Sequence, residues 1–253
     1  MNSSIEVLFT PAEFTALAQR DLSETACVVF DVLRATSSMV TALAHGAQAV
    51  VPVATIPDAL AWKERDPDVL LAGERNGLRI RAVLTGGVEF DLGNSPREFE
   101  PERVRGRTIV MTTTNGTRAL QACRRGAHVW VGAFLNLNAV VEALRRVQPR
   151  HLLVVCSGTI EQAAFEDALA AGALCEAVWD LYKEGEVVDS VQLALEAWRR
   201  HANDLAAGLG SGRNGRRLLA RPELRDDVGF CAMRDRYAFA PTLDANAIVR
   251  WLK

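Results

Sequence analysis

The stretch Cys27-Val-Val-Phe-Asp31-Val-Leu-Arg34-Ala-Thr36-Ser-Ser38, continuing to His45, decides the fold. Residues Cys27–Val32 are apolar at almost every position, the pattern of a strand buried on both faces of a sheet. A polar turn over Arg34–Ser38 follows, and Ser37–His45 has the length and make-up of a helix. The order strand, polar turn, helix is half of a β-α-β unit. Working outward, similar short runs predict strands at Ile5–Phe9, Ala49–Val53, Val69–Ala72, Thr108–Thr112, Val129–Ala133 and Leu152–Cys156. Helix-length segments lie between them, at Asp58–Arg65, Gly116–Arg124, Asn138–Val147 and Gln162–Tyr182. This alternation predicts a layered α/β fold with a largely parallel sheet. The C-terminal third differs: Ser190–Ala207 reads as one long helix, Gly208–Gly215 as a glycine-rich loop, and the remainder as short mixed pieces. No low-complexity linker divides the chain, so residues 1–253 are read as a single α/β domain. Residues 27–53 can also be laid on residues 107–133, strand on strand and helix on helix, which leaves an internal duplication open.

Composition excludes several classes. The 253 residues carry 29 Lys or Arg and 31 Asp or Glu, a formal charge of −2, with 49% hydrophobic and 24% charged residues. That balance is neither a disordered tail nor a basic surface for nucleic acid. The start of the chain has no basic region of a signal peptide, and its apolar runs are far short of a membrane span. Five widely spaced cysteines with no C-x-x-C pair, and four histidines without ligand spacing, argue against a zinc or redox site and for a reducing cytoplasm. The cations are nearly all Arg, the side chain suited to two-pronged grips on phosphate or carboxylate.

Four motifs carry candidate chemistry. In the opening stretch, a strand ends in Asp31, a group able to hold a divalent cation. Arg34 and the hydroxyls of Thr36, Ser37 and Ser38 follow at a helix start, where N–H groups favour anions. An N-cap at Thr36 or Ser37 with an Asp31–Arg34 surface pair explains the same residues equally well. Next, Gly73-Glu74-Arg75-Asn76-Gly77 places a carboxylate, a guanidinium and an amide after a strand, and Phe90-Asp-Leu-Gly-Asn94-Ser-Pro96 follows as a turn; two ordinary surface loops are the plain alternative. Thr112-Thr113-Thr114-Asn115-Gly116-Thr117-Arg118 is a dense set of phosphate donors, and an anion site is the better reading there. Finally, Cys156-Ser-Gly158 with Glu166-Asp167 downstream suits a cation, or else a solvated acidic helix face. No Gly-Lys pair exists for a P-loop. Gly210-Ser-Gly212-Arg-Asn-Gly215 matches a dinucleotide fingerprint but follows a helix instead of a strand. Positions 129 and 162, six residues beyond Cys123 and Cys156, are Val and Gln where a cysteine phosphatase loop needs Arg, and position 33 is Leu where a D-x-D start at Asp31 needs Asp. Metal-assisted chemistry without a covalent phosphoenzyme remains.

In this order, Asp31–Thr36, Gly73–Gly77, Phe90–Pro96 and Thr112–Arg118 resemble the 2-phosphosulfolactate phosphatase family, and the likeness extends to Glu166-Asp167, Asp226–Cys231 and Asp235-Arg-Tyr237. The chain departs from the family pattern at Thr159–Ala164 and at Arg213–Gly215. The resemblance implies a three-layer α/β/α sandwich with a parallel or mixed sheet. It also implies a magnesium-dependent hydrolase that converts 2-phospho-3-sulfolactate to 3-sulfolactate and phosphate, a step of coenzyme M synthesis in methanogens. On this basis Mg²⁺ is expected on some of Asp31, Glu74, Glu166 and Asp167, since hard cations choose carboxylate oxygens. Arg34, Arg75 and Arg118 are the expected phosphoryl clamps. Thr36, Asn76, Asn94, Thr113, Thr114, Asn115 and Gly116 are the expected substrate contacts. Arg213, with Arg216 and Arg217, is expected to reach the sulfonate or carboxylate. The expected partner is a small anionic phosphorylated substrate, with no nucleic acid and no membrane; a homo-oligomer stays open. Two other readings stay open too: a phosphatase of another small phosphorylated hydroxy acid, and a binding protein for a phosphorylated metabolite without turnover.

Overall fold

A computed structural model describes residues 3–251, so residues 1, 2, 252 and 253 lie outside the described residues. The strands are β1 (Ser4–Leu8), β2 (Thr25–Phe30), β3 (Ala49–Pro52), β4 (Leu70–Arg75), β5 (Leu78–Arg79), β6 (Thr108–Thr112), β7 (His128–Gly132), β8 (His151–Cys156), β9 (Glu186–Val187), β10 (Thr242–Leu243) and β11 (Val249–Arg250). They form one sheet in the order β5-β4-β6-β3-β11-β10-β7-β2-β8-β1-β9. On one side β4, β6 and β3 run parallel, with β5 antiparallel at the edge. On the other, β7, β2, β8, β1 and β9 run parallel. The β10–β11 hairpin stands between these two half-sheets, antiparallel to both. It meets them through the pairs Thr242–Trp130 and Val249–Val50.

Alternation along β2 shows why helices cover both faces. Ala26, Val28 and Phe30 enter one core, beneath the helices Leu137–Val147, Phe165–Ala177 and Asp189–His201. Cys27 and Val29 enter the other, beneath Ala35–Ala44 and Gly116–Cys123. Successive strand residues point to opposite faces, so a strand apolar at every position needs a layer on each side. The result is the expected three-layer α/β/α sandwich with a mixed, mostly parallel sheet.

The 27–53 and 107–133 stretches fold alike, as strand, helix, strand. They also interlock, because β2 pairs with β7 and β6 pairs with β3. Each stretch thus lays its first strand beside the other's second strand.

Three expectations change. The Gln162–Tyr182 helix divides into Phe165–Ala177 and Trp179–Tyr182 around Val178. The Ser190–Ala207 helix ends at His201, and Asp204 caps a new helix, Leu205–Ser211, by accepting from the Ala207 N–H at 3.0 Å. Gly208–Gly215 is not a loop: it lies in Leu205–Ser211 and in a second helix, Arg213–Leu219, which meet at Gly212. Gly215 serves packing there, since a Cβ on it would collide with the Leu209 carbonyl. Glycines that pack read like glycines that loop in a bare sequence. Among the described residues no helix is long and apolar enough to cross a membrane.

Candidate active site

The turns at the carboxyl ends of β2, β4, β6 and β8 converge on one cavity of about 110 Å³. Asp31 and Arg34 come from the turn after β2, Glu74, Asn76 and Gly77 from the end of β4, and Thr113, Thr114 and Asn115 from the turn after β6. Gly158 to Ile160 come from the turn after β8. Glu166 and Asp167, in the first turn of Phe165–Ala177, line it too, with Asn94, Asn214, Arg217, Leu218, Arg221 and Leu224. The cavity therefore takes walls from both half-sheets, at the strand ends where open α/β sheets bind ligands.

Most of the polar residues in these turns hold the turns themselves. Asp31 Oδ1 accepts from the Ala35 N–H at 3.0 Å, and the Asp31 N–H donates to Thr36 Oγ1 at 3.0 Å. The Ser37 hydroxyl donates to the Val32 carbonyl and that of Ser38 to the Asn94 carbonyl. Glu74 joins two turns: Oε2 accepts from the Gly77 N–H at 2.7 Å, while Oε1 accepts from the N–H and hydroxyl of Thr114 at 2.9 and 2.8 Å. Thr113 Oγ1 accepts from the Thr117 N–H, and Asn115 Oδ1 from the Ile160 N–H at 3.2 Å. Asp167 accepts from the N–H groups of Val32 and Gly158 at 2.8 and 3.1 Å. Gly116 lets the two equivalent helix starts touch. A Cβ there would stand 2.6 Å from the Ala35 Cβ and 2.7 Å from Asp31 Oδ2.

Burial raises the proton affinity of three carboxyls around the cavity. Burial pushes Asp31 up to about 7 against the pull of the Ala35 N–H, and Glu74 and Glu166 push the same way. Burial raises Asp167 well above the carboxylate range, helped by Asp31 and Glu166. Burial also raises Glu166, opposed by its hydrogen bond from Asn214. Two oxygens remain without a protein donor: Asp31 Oδ2 and the buried Glu166 Oε2. Among the described residues no three acidic, histidine or cysteine side chains are grouped so as to hold a metal ion between them. Two open carboxylate oxygens suit Mg²⁺, which keeps several waters and takes one or two carboxylates plus substrate phosphate.

The arginines are placed differently from expectation. Arg34 lines the cavity but is locked: Nη1 donates to Asp227 Oδ2 and Nη2 to the Gly77 carbonyl, both at 2.7 Å. Its side chain is 3% exposed and that of Asp227 0%. Arg75 turns away from the cavity, to the Glu74 and Thr112 carbonyls and the Thr112 hydroxyl. Arg118 stands on the surface, paired with Glu161 at 3.1 Å. Arg213 binds the Gln162 side chain and the Thr159 carbonyl, outside the lining, and Arg216 binds the Ser211 carbonyl. Arg217 does reach the lining. Thr36 and Gly116 shape the turns from behind. Asp227 and Asn214 stand in stretches quoted for the family resemblance but carried no expected role, and Arg221 stands in no motif. Asp227 also accepts from the Ser95 hydroxyl at 2.7 Å and Arg97 Nε at 2.8 Å, tying the Asp226–Cys231 helix to the Asn94–Pro96 turn. A buried Arg34 demands such a partner, but spacing in the sequence does not say which acid provides it.

The model of a family described as 2-phosphosulpholactate phosphatase matches residues 12–246. The chain belongs to that family. Membership makes it a phosphatase, a phosphoric monoester hydrolase. A relative from Caldanaerobacter subterraneus subsp. tengcongensis, named probable 2-phosphosulfolactate phosphatase, is 38% identical over 247 residues, covering 96% of this chain and 97% of its own. Relatives of the same name from Pseudothermotoga lettingae and Synechococcus sp. (strain JA-3-3Ab) are 36% and 42% identical, covering 97% and 85% of this chain and 98% and 88% of theirs.

Proposed function

We propose that the protein hydrolyses 2-phospho-3-sulfolactate to 3-sulfolactate and phosphate with Mg²⁺ as cofactor, in a reducing cytoplasm. One observation carries the reading. Of the five buried side-chain polar atoms without a partner among the described residues, Asn94 Oδ1, Glu166 Oε2 and Arg221 Nη1 belong to residues that line this cavity. Buried polar atoms are nearly always satisfied, so such a cluster marks a ligand site. The free, buried state of all five cysteines supports the reducing setting.

Asp31 and Glu166 are the residues that would hold the ion. When bound, it supplies positive charge for the phosphoryl oxygens and an acidified water. The starts of the Ala35–Ala44 and Gly116–Cys123 helices add partial positive charge where the phosphoryl group sits. Glu74 and Asp167 hold four turns in register, so that a water oxygen attacks phosphorus in line while the bond to the C2 oxygen breaks. The test is phosphate release from 2-phosphosulfolactate with and without Mg²⁺. Release that depends on Mg²⁺ is expected; none from folded, Mg²⁺-loaded protein would defeat the reading.

A further inference from the structure

Among the described residues three cationic side chains line the cavity, Arg34, Arg217 and Arg221, and no lysine or histidine does. Arg34 is neutralised by Asp227 and holds the Gly77 carbonyl, so its charge is not available to a ligand. The side chains of Arg217 and Arg221 make no hydrogen bond or ion pair among the described residues. Nη1 of Arg221 is buried without an acceptor. It lies over the Gly77 turn, 3.9 Å from where a Cβ on Gly77 would stand. Leu218 and Leu224 line the same cavity. A buried guanidinium N–H without an acceptor costs on the order of 1–3 kcal/mol. Apolar neighbours lower the local dielectric and strengthen any anion it meets.

We propose that Arg221, assisted by Arg217, determines specificity by gripping one of the two acid groups that the substrate carries away from the phosphoryl end, its sulfonate or its carboxylate. The proposal rests on the phosphatase reading above. The acids Asp31, Glu74, Glu166 and Asp167 offer a bare carboxylate or sulfonate no positive charge, and the phosphoryl group would take the metal. The carboxylate and the sulfonate that the substrate carries beside its phosphoryl group therefore need cationic partners. A guanidinium fork matches two oxygens of either group. Phosphomonoesters without a second acid leave Arg221 unpaired, so the site disfavours them.

The experiment compares wild type, Arg221→Gln, Arg221→Lys and Arg217→Gln on 2-phosphosulfolactate and on phenyl phosphate, with Mg²⁺ present. Loss of a charged hydrogen bond predicts that Arg221→Gln raises KM for 2-phosphosulfolactate about 10–100-fold, more than it lowers kcat. The preference over phenyl phosphate falls by the same factor. Arg221→Lys keeps the charge and loses the fork, so its loss is smaller; Arg217→Gln shows the same split at roughly 3–10-fold, as fits an exposed contact. Equal losses on both substrates would overturn the proposal, for then Arg221 serves the phosphoryl group or the fold. Binding of the product 3-sulfolactate, followed by calorimetry, keeps the test independent of turnover. Affinity at least about 10-fold weaker in Arg221→Gln supports the proposal, and equal affinity overturns it. If wild type binds 3-sulfolactate, Arg221→Gln binds it at least about 10-fold more weakly and neither releases phosphate, the phosphatase reading fails while the grip of Arg221 on the acid group stands. A melting temperature of Arg221→Gln no lower than wild type excludes a folding defect as the cause. If that variant does not fold, Arg217→Gln decides by the same criterion.

Discussion

Asp31 has one oxygen engaged by the Ala35 N–H and one open, in a cavity where burial pushes its carboxyl up to about 7. Its ordinary value in the unfolded chain is near ~3.9. Between those values the folded state holds more protons than the unfolded one, so stability falls as pH rises from about 4 through about 7. Asp31→Asn removes that slope. In metal-free protein at pH 8 it should gain roughly 1–3 kcal/mol while losing at least ~100-fold in kcat/KM. Melting curves of both proteins from pH 4 to 8 check the sign, and a variant less stable than wild type at pH 8 would refute it. A cation binds the ionised form, so at sub-saturating Mg²⁺ the activity should climb through about pH 7. Gly116 is the other telling residue. Gly116→Ala forces a methyl against the Ala35 Cβ and Asp31 Oδ2, at a cost of about 1–3 kcal/mol by overpacking, measurable by urea unfolding.

At the scale of elements, the Asp226–Cys231 helix reaches the site through Asp227, which gathers Arg34, Ser95 and Arg97. Asp227→Asn leaves Arg34 charged and buried without a counter-ion, so a loss of roughly 3–5 kcal/mol is expected in denaturant unfolding. A loss under about 1 kcal/mol would show the hub to be dispensable. The sequence makes β2, β6 and β8 legible because strands buried on two faces are apolar throughout. It hides β5, β9, β10 and β11 because pieces two residues long have no periodicity to read. The acids of the site are legible as strand-end and helix-start carboxylates. Its cations are not, because an arginine's reach is decided by packing: Arg75 and Arg118 sit in the right turns and turn outward, while Arg221 arrives from just beyond a helix that the glycines disguise as a loop.

Across the whole molecule, Asp31, Glu166 and Asp167 belong to one half-sheet and its helices, and Glu74 and Thr113–Asn115 to the other. The half-sheets are joined along the strand ladder by the short β10–β11 hairpin, and across the cavity by the Asn115–Ile160 hydrogen bond. Leu243→Asp places an unpaired charge at a buried position of that hairpin. It should lower stability by about 3 kcal/mol or more and reduce kcat/KM even at temperatures where the chain stays folded. Retained activity in the folded variant would mean that the halves hold their places without the wedge. The central claim, that phosphoryl transfer occurs in the cavity between the halves and not on the arginine-bearing surface, meets its most direct test in one measurement: kcat/KM for 2-phosphosulfolactate in Glu166→Gln beside Arg118→Ala, with Mg²⁺ saturating. Loss of at least ~100-fold in the first and under ~3-fold in the second is predicted; the reverse order would contradict it.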